Sequence, residues 1–313
     1  MKDLSEILNE YNAMVNAYPK LIYQGIILNG NFDVFPVPYS PMEYRNGKYY
    51  LYVLRNNAFY IADSPNGLNS WNFTRSYFPY GFVMKDTNNY KAIFHKWMSS
   101  KAYFYFSASL DGVNFSDMDY IRTPHGEDIT MIKVNGVYRA YGRMNVPMDG
   151  IRTIGVMHSN DFVSWTNDLQ RFPAQRNTFR MQEILVPDEL DGINQFYSMS
   201  VIQTVKGFFG FLNVYNPTLE KVHIQLIHSV DGISNWRRLN ARKSIIGTMS
   251  DRKQLYGSAS VIGTEVFLTT ISAKFKHDES DKGTNHYYTE LWKVSLTELY
   301  KFVEFYELTE QKD

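Results

Sequence analysis

Apolar and polar residues alternate at period two through most of this chain, in short stretches punctuated by Gly, Asn, Asp and Pro, and this pattern predicts antiparallel strands. The exception stands at the front. Leu4, Ile7, Leu8, Tyr11, Met14 and Val15 recur at spacings of three and four, and Asp3 with Glu6 has the spacing of a capping box. Residues 1–19 are therefore expected to form an amphipathic helix that Pro19 ends. Lys20 to Leu28, KLIYQGIIL, then reads as a strand.

Beyond that strand the pattern repeats. A strand ending in Ser, a short polar turn and an aromatic recur as ADSPNGLNSW, SASLDGVNF, MHSNDFVSW and IHSVDGISNW. The aligned serines are Ser64, Ser109, Ser159 and Ser229, with successive separations of 45, 50 and 70 residues. The first two separations suit one four-stranded propeller blade. The third is longer, which an insertion near Asn167 to Gln195 accounts for. A hairpin opens each unit: PMEYRNGKYYLYV, the less regular FVMKDTNNYKAIFHKW, ITMIKVNGVYRAYG, SVIQTVKGFFGFL and SASVIGTEVFLTTI. Asn46-Gly47 and Asn135-Gly136 are the dipeptides that a two-residue hairpin turn prefers, because both central positions need positive φ.

Five units are expected, without room for a sixth. The fifth continues through a polar insertion, KFKHDESDKGTN, to the strand YYTELWKV. Ser295 with Glu298 repeats the capping-box spacing, so LTELYKF reads as a short helix or turn before a final strand. An open sheet edge invites pairing with other chains, so Lys20–Leu28 is expected to complete the last unit. The expected fold is all-β: a five-bladed β-propeller spanning residues 20–313 as a single domain, with a short N-terminal helix outside it.

Composition narrows the functional classes. Lys+Arg and Asp+Glu are each 32, so composition implies no basic face for nucleic acid and none for a membrane surface. With no cysteine, disulfides, thiolate metal sites and cysteine nucleophiles are excluded. No apolar run approaches the ~20 residues of a membrane span, and the first residues lack the apolar centre of a secretory signal. The sequence thus reads as a soluble protein, cytoplasmic or part of a particle. The 24 Tyr, 21 Phe and 5 Trp suit strands packed face to face and also suit surfaces on which sugars stack. No nucleotide-binding glycine loop, metalloprotease helix or nucleophile elbow occurs. No cofactor and no metal ligand is assigned.

Five units, opening hairpins of the form x-x-G-x-Y-Y-L and closing turns of the form S-x-D-G-x-x-W resemble those of the five-bladed propeller glycosidases, such as glycoside hydrolase families 43 and 32. The resemblance covers about residues 20–305 as an architecture and implies a carbohydrate partner. It also implies three carboxylates in the central funnel: an Asp entering the first blade as base or nucleophile, a supporting Asp entering the third, and a general-acid Glu entering the fourth. One carboxylic acid protonates the leaving oxygen while a carboxylate on the opposite face activates water or attacks.

Asp128, beside Glu127 at the opening of the third hairpin, matches the supporting Asp. The first-blade position falls at Tyr39 or Ser40, and the fourth-blade position at Ser198 beside Tyr197. Asp33, Glu43 and Glu183 lie near enough in sequence to substitute, although each also fits a solvated strand or loop position. His125 and His95 could orient a carboxylate, and Arg143 and Arg152 could hold an anionic sugar; structural hydrogen bonding and surface pairing are their plainer readings.

Two functions remain open. In the first, the protein hydrolyses a glycosidic bond using Asp128, Glu183 and one of Asp33 or Glu43, with Tyr39, Ser40, Glu127, His125, Arg143, Tyr197 and Ser198 around the substrate. In the second, it is a non-catalytic glycan-binding or structural propeller, as in a surface or phage assembly. Asp128→Asn is expected to abolish function with little effect on folding.

Overall fold

The computed structural model describes residues 5–6, 8–9, 21–29, 34–36, 40–55, 58–76, 81–98, 101–116, 119–122, 126–145, 151–166, 181–239, 242–246, 254–273 and 287–310. Strand β1 (Ile22–Asn29) comes first, and the strands that follow form five antiparallel sheets. Blade I holds β2 (Val34–Pro36) and β3 (Glu43–Arg45), both paired along the inner side of β4 (Lys48–Arg55), then β5 (Ala58–Ser64) and β6 (Asn72–Ser76). Blade II is β7 (Phe82–Asp86), β8 (Asn89–Met98), β9 (Lys101–Ser109) and β10 (Asp119–Arg122). Blade III is β11 (Gly126–Val134), β12 (Val137–Asn145), β13 (Arg152–Ser159) and β14 (Gln182–Leu185). Blade IV is β15 (Gln195–Thr204), β16 (Gly207–Asn216), β17 (Lys221–Ser229) and β18 (Arg237–Arg238). Blade V is β19 (Gln254–Ile262), β20 (Glu265–Ala273) and β21 (Tyr287–Ser295), closed on its outer side by β1.

The five-bladed propeller and its closure by the early strand are as the sequence predicts. The helical part differs. The helix with described bounds is α1 (Leu296–Glu310), at the C-terminal end of the chain, where a short helix or turn and a final strand were expected. Leu299, Phe302 and Val303, at the spacing of one helix face, are buried against blades IV and V. Of residues 1–19 only Ser5, Glu6, Leu8 and Asn9 are described; they are helical, and the rest of that expected element lies outside the described residues.

The core is divided into five apolar clusters, one in each joint between neighbouring blades. The repeated Ser-x-Asp turns cement these joints. In blade IV, the Ser229 hydroxyl accepts from Gly232 N at 3.0 Å and donates to Asp231 Oδ1 at 3.0 Å, while Asp231 Oδ1 accepts from Ile233 N and Ser234 N at 2.8 and 2.7 Å. Ser109–Asp111 and Ser159–Asp161 repeat that pattern, and Asn66 takes the Asp role in blade I. The third turn residue needs positive φ, so it is Gly67, Gly112 and Gly232 in three copies. In the remaining copy, that of blade III, it is Phe162 at φ 68°, whose buried ring is held edge-on by Phe106 and Trp165. The closing aromatics reach back to the preceding blade: Trp165 stacks on Phe106 at 4.9 Å, and Trp236 meets Tyr141 edge-on. Tyr141 and Tyr52 donate to the turn carbonyls of Gly232 and Gly112 in the next blade.

Inner strands β3, β7, β11, β15 and β19 run in one direction around the axis, from an upper face to the hairpin turns of a lower face. Hydroxyls on or just before three of them lock one blade to the next: Ser40 Oγ, ahead of β3, accepts from Val83 N at 2.9 Å, Thr130 Oγ1 donates to Met199 O at 2.6 Å, and Ser200 Oγ accepts from Ala259 N at 2.9 Å. Below them the axis widens into a cavity of about 570 Å³ that opens at the lower face.

Candidate functional site at the upper face

Asp128 lies near the upper end of β11, where a register break between Glu127 and Thr130 bulges the strand and turns the residue to φ 53°. Positive φ in a strand is uncommon outside Gly, and Asp and Asn tolerate it best. The bulge points the carboxylate into the joint between blades III and IV. There Asp128 is 7% exposed and pairs at 3.2 Å with Arg143 of β12, itself 6% exposed. The Arg143 guanidinium lies over the Tyr197 ring at 4.2 Å. Tyr197 meets Tyr215 edge-on at 5.8 Å, and Arg152 at the start of β13 sits 5.2 and 5.3 Å from the centroids of these two rings. Arg152 Nη1 also donates to Gln195 Oε1 at 3.0 Å. Cation–π contacts of this kind hold guanidinium planes in place without cancelling their charge.

The structure thus brings together Asp128, Arg143, Arg152 and Tyr197 from the sequence prediction. It adds Gln195 and Tyr215, which the sequence reading missed although counting outward from the Lys206-Gly207 turn places both at the upper end of the fourth hairpin. Ser198 lies in the same hairpin, buried, and its hydroxyl accepts from Asn213 Nδ2; Asn213 Oδ1 in turn accepts from Gly257 N at 3.2 Å.

Three expectations change. Ser40, expected against substrate, is 1% exposed with its hydroxyl taken up between Gly81 O and Val83 N, so it staples blade I to blade II. Glu43 lies two residues before its hairpin turn, whereas Asp128 lies six before its own, which separates them by about 13 Å along the axis. Glu43 faces the lower cavity; its Oε1 accepts from Lys85 N at 3.0 Å, and burial raises its pKa against the opposing charges of Arg45 and Lys85. Glu183 lies on β14, the outermost strand of blade III.

Glu183 also lies on the other side of that sheet. Its Oε2 accepts from Thr153 Oγ1 at 3.0 Å, and Thr153 pairs with Met144, which packs toward blade II. Arg143 pairs with Ile154, which packs toward blade IV. Asp33, Tyr39 and His125 lie outside the described residues, as do the side chains of Glu127 and His95. Among the described residues no group of three His, Asp or Glu is placed to hold a metal ion, and no helix is long and apolar enough to cross a membrane.

The fold is that of the five-bladed propellers of glycoside hydrolase families 43 and 32. Among solved structures, a thermostable family-43 glycoside hydrolase superposes with a TM-score of 0.63 at 14% identity, over 82% of this chain and 89% of that one. A β-1,2-mannobiose phosphorylase from Listeria innocua gives 0.60 at 12% identity, over 88% and 94%. The family-32 β-fructofuranosidase of Bombyx mori gives 0.57 at 11% identity, over 93% and 67%. No protein-family model matches the chain and no curated protein matches it in sequence. At these identities the likeness establishes the architecture, and the chemistry rests on the residues themselves.

Proposed function

We propose that this protein is a carbohydrate-active propeller that seats a glycan at the upper face, over the joint between blades III and IV. The supporting observation is the buried, positive-φ Asp128 on the third inner strand, fixed by Arg143 and flanked by Tyr197 and Tyr215. Tyr215 is buried behind Tyr197; the partly exposed Tyr197 suits the apolar side of a sugar ring, and the partly exposed Arg152 and Gln195 suit its hydroxyls. Glycan recognition without turnover is the reading these residues favour. Counting along the hairpins puts the first-blade carboxylate position at Tyr39 or Ser40 and the fourth-blade one at Ser198 beside Tyr197, none of them an acid, and the hydroxyls of Ser40 and Ser198 are hydrogen-bonded within the protein.

Hydrolysis is the second reading, favoured by the strained backbone at Asp128, because such strain concentrates at active sites. It requires a second carboxylate roughly 5 to 9.5 Å from the first, and Asp33 or Glu127 would have to supply it. The test is a panel of oligosaccharides and aryl glycosides, read for both binding and product. Saturable binding that Tyr197→Ala weakens about tenfold, with the lower-face change Val205→Ser neutral, supports the site. Released sugar would move the conclusion to hydrolysis, and neither binding nor product on the whole panel would refute the carbohydrate reading.

A further inference from the structure

Among the described residues, the charges at the upper end of the joint between blades III and IV do not balance. Asp128 compensates Arg143 within the buried pair. Arg152 has one hydrogen-bond acceptor, the neutral Gln195, and two tyrosine faces; among the described residues no carboxylate pairs with it. Four of its five N–H donors therefore have no protein acceptor among the described residues. Its side chain is held half-buried between blades, so little rotamer freedom remains to be lost when a ligand binds. A unit charge that no described carboxylate compensates, on a planar fork fixed beside Tyr197, matches a planar monoanion.

Resting on the carbohydrate reading above, we propose that the ligand is an acidic glycan. A sugar carboxylate is held in bidentate fashion by Arg152 while the ring lies against the partly exposed Tyr197, which the buried Tyr215 backs. A neutral glycan would leave the Arg152 charge partly desolvated and uncompensated, so the site discriminates against it.

The experiment compares matched pairs: oligomers of galacturonate, glucuronate and mannuronate, and the same oligomers with each carboxylate reduced to a primary alcohol. Wild type is expected to bind at least one acid about 10-fold or more tighter than its reduced form, and the preference should shrink as salt is raised. Arg152→Gln should abolish the preference by weakening the acid and leaving the reduced form within about twofold. Arg152→Lys, which keeps the charge without the fork, should retain part of it. Melting of each variant is measured alongside, since Arg152 also bridges two blades. Equal binding of acid and reduced forms by wild type would overturn the acidic-glycan assignment and leave the carbohydrate reading standing. An equal loss of both forms in Arg152→Gln would overturn it too, by showing that Arg152 holds the cleft together without contacting the carboxylate. Failure of every oligomer, acid or reduced, to bind would sink both.

Discussion

Replacing Asp128 by Asn keeps the shape of the side chain and, because Asn tolerates positive φ as well as Asp does, adds no backbone penalty at φ 53°. What changes is the charge facing Arg143 at 3.2 Å, with both side chains less than a tenth exposed. Removing one partner of a buried pair costs about 3–5 kcal/mol, because the other charge stays desolvated. The Tyr197 face at 4.2 Å offsets on the order of 1 kcal/mol of that, which leaves roughly 2–4 kcal/mol. The entropy of unfolding of a chain of 313 residues is roughly 0.66 kcal/mol per kelvin, so the melting point should fall by about 3 to 6 °C. The sequence alone suggested a substitution silent for folding; burial of the pair reverses that. Differential scanning calorimetry on wild type, Asp128→Asn, Arg143→Met and the double variant closes the cycle. The double variant should recover at least half of the loss, since it strands neither charge. A single variant that melts within about 1 °C of wild type, or a double variant whose loss is the sum of the two singles, would refute the buried-pair argument.

Glu43 should make stability depend on pH in the sense opposite to a salt-bridged acid. Burial raises its pKa, so the folded state holds the proton more tightly than the unfolded chain, and stability falls as pH rises through the window above the usual Glu value of about 4.3. Glu43→Gln is expected to melt above wild type at about pH 7.5 and level with it at about pH 4, and identical shifts at both values would contradict this. In the fourth closing turn, Asp231→Ala removes the acceptor of Ile233 N and Ser234 N and should cost about 1–2 kcal/mol after allowance for solvent, read as a lowered urea midpoint. Asp231→Asn should cost less than half as much, because Asn66 already serves both N–H groups of the equivalent turn in blade I.

The propeller was legible because each blade carries its own local code. Asn46-Gly47 and Asn135-Gly136 adopt the positive-φ pairs their hairpins require, and the four serine turns hold to one hydrogen-bonding scheme even where Phe162 replaces Gly. The site was only half legible, since side-chain direction depends on parity. Between Ser159 and Glu183 the chain offers no fixed register, and a shift between Ile154 and Gly155 in the β13–β14 ladder helps decide which side of the sheet Glu183 meets. Counting from the nearest hairpin could not supply that. Glu43 failed for another reason: nearness to the start of a blade says nothing about depth along the axis. The C-terminal helix was obscured by aromatic and β-branched residues in Phe302 to Tyr306, which suit a strand, whereas the packing of Leu299, Phe302 and Val303 on the outer part of two blades selects the helix.

The seam where β1 joins β21 puts the beginning and end of the chain in one sheet, with Ile22 opposite Lys293. On a ribosome adding about 5–20 residues per second, the first strand emerges on the order of ten seconds to a minute before its partner exists. Through that interval β1 is an unpaired edge, and its outward-facing Ile22 and Ile26, still well exposed in the finished fold, are open to capture by another nascent chain. The blades in between have every strand they need as they are made. Ring closure is therefore the slow, late event of the folding reaction, and the same seam is the natural first place for the molecule to open under stress.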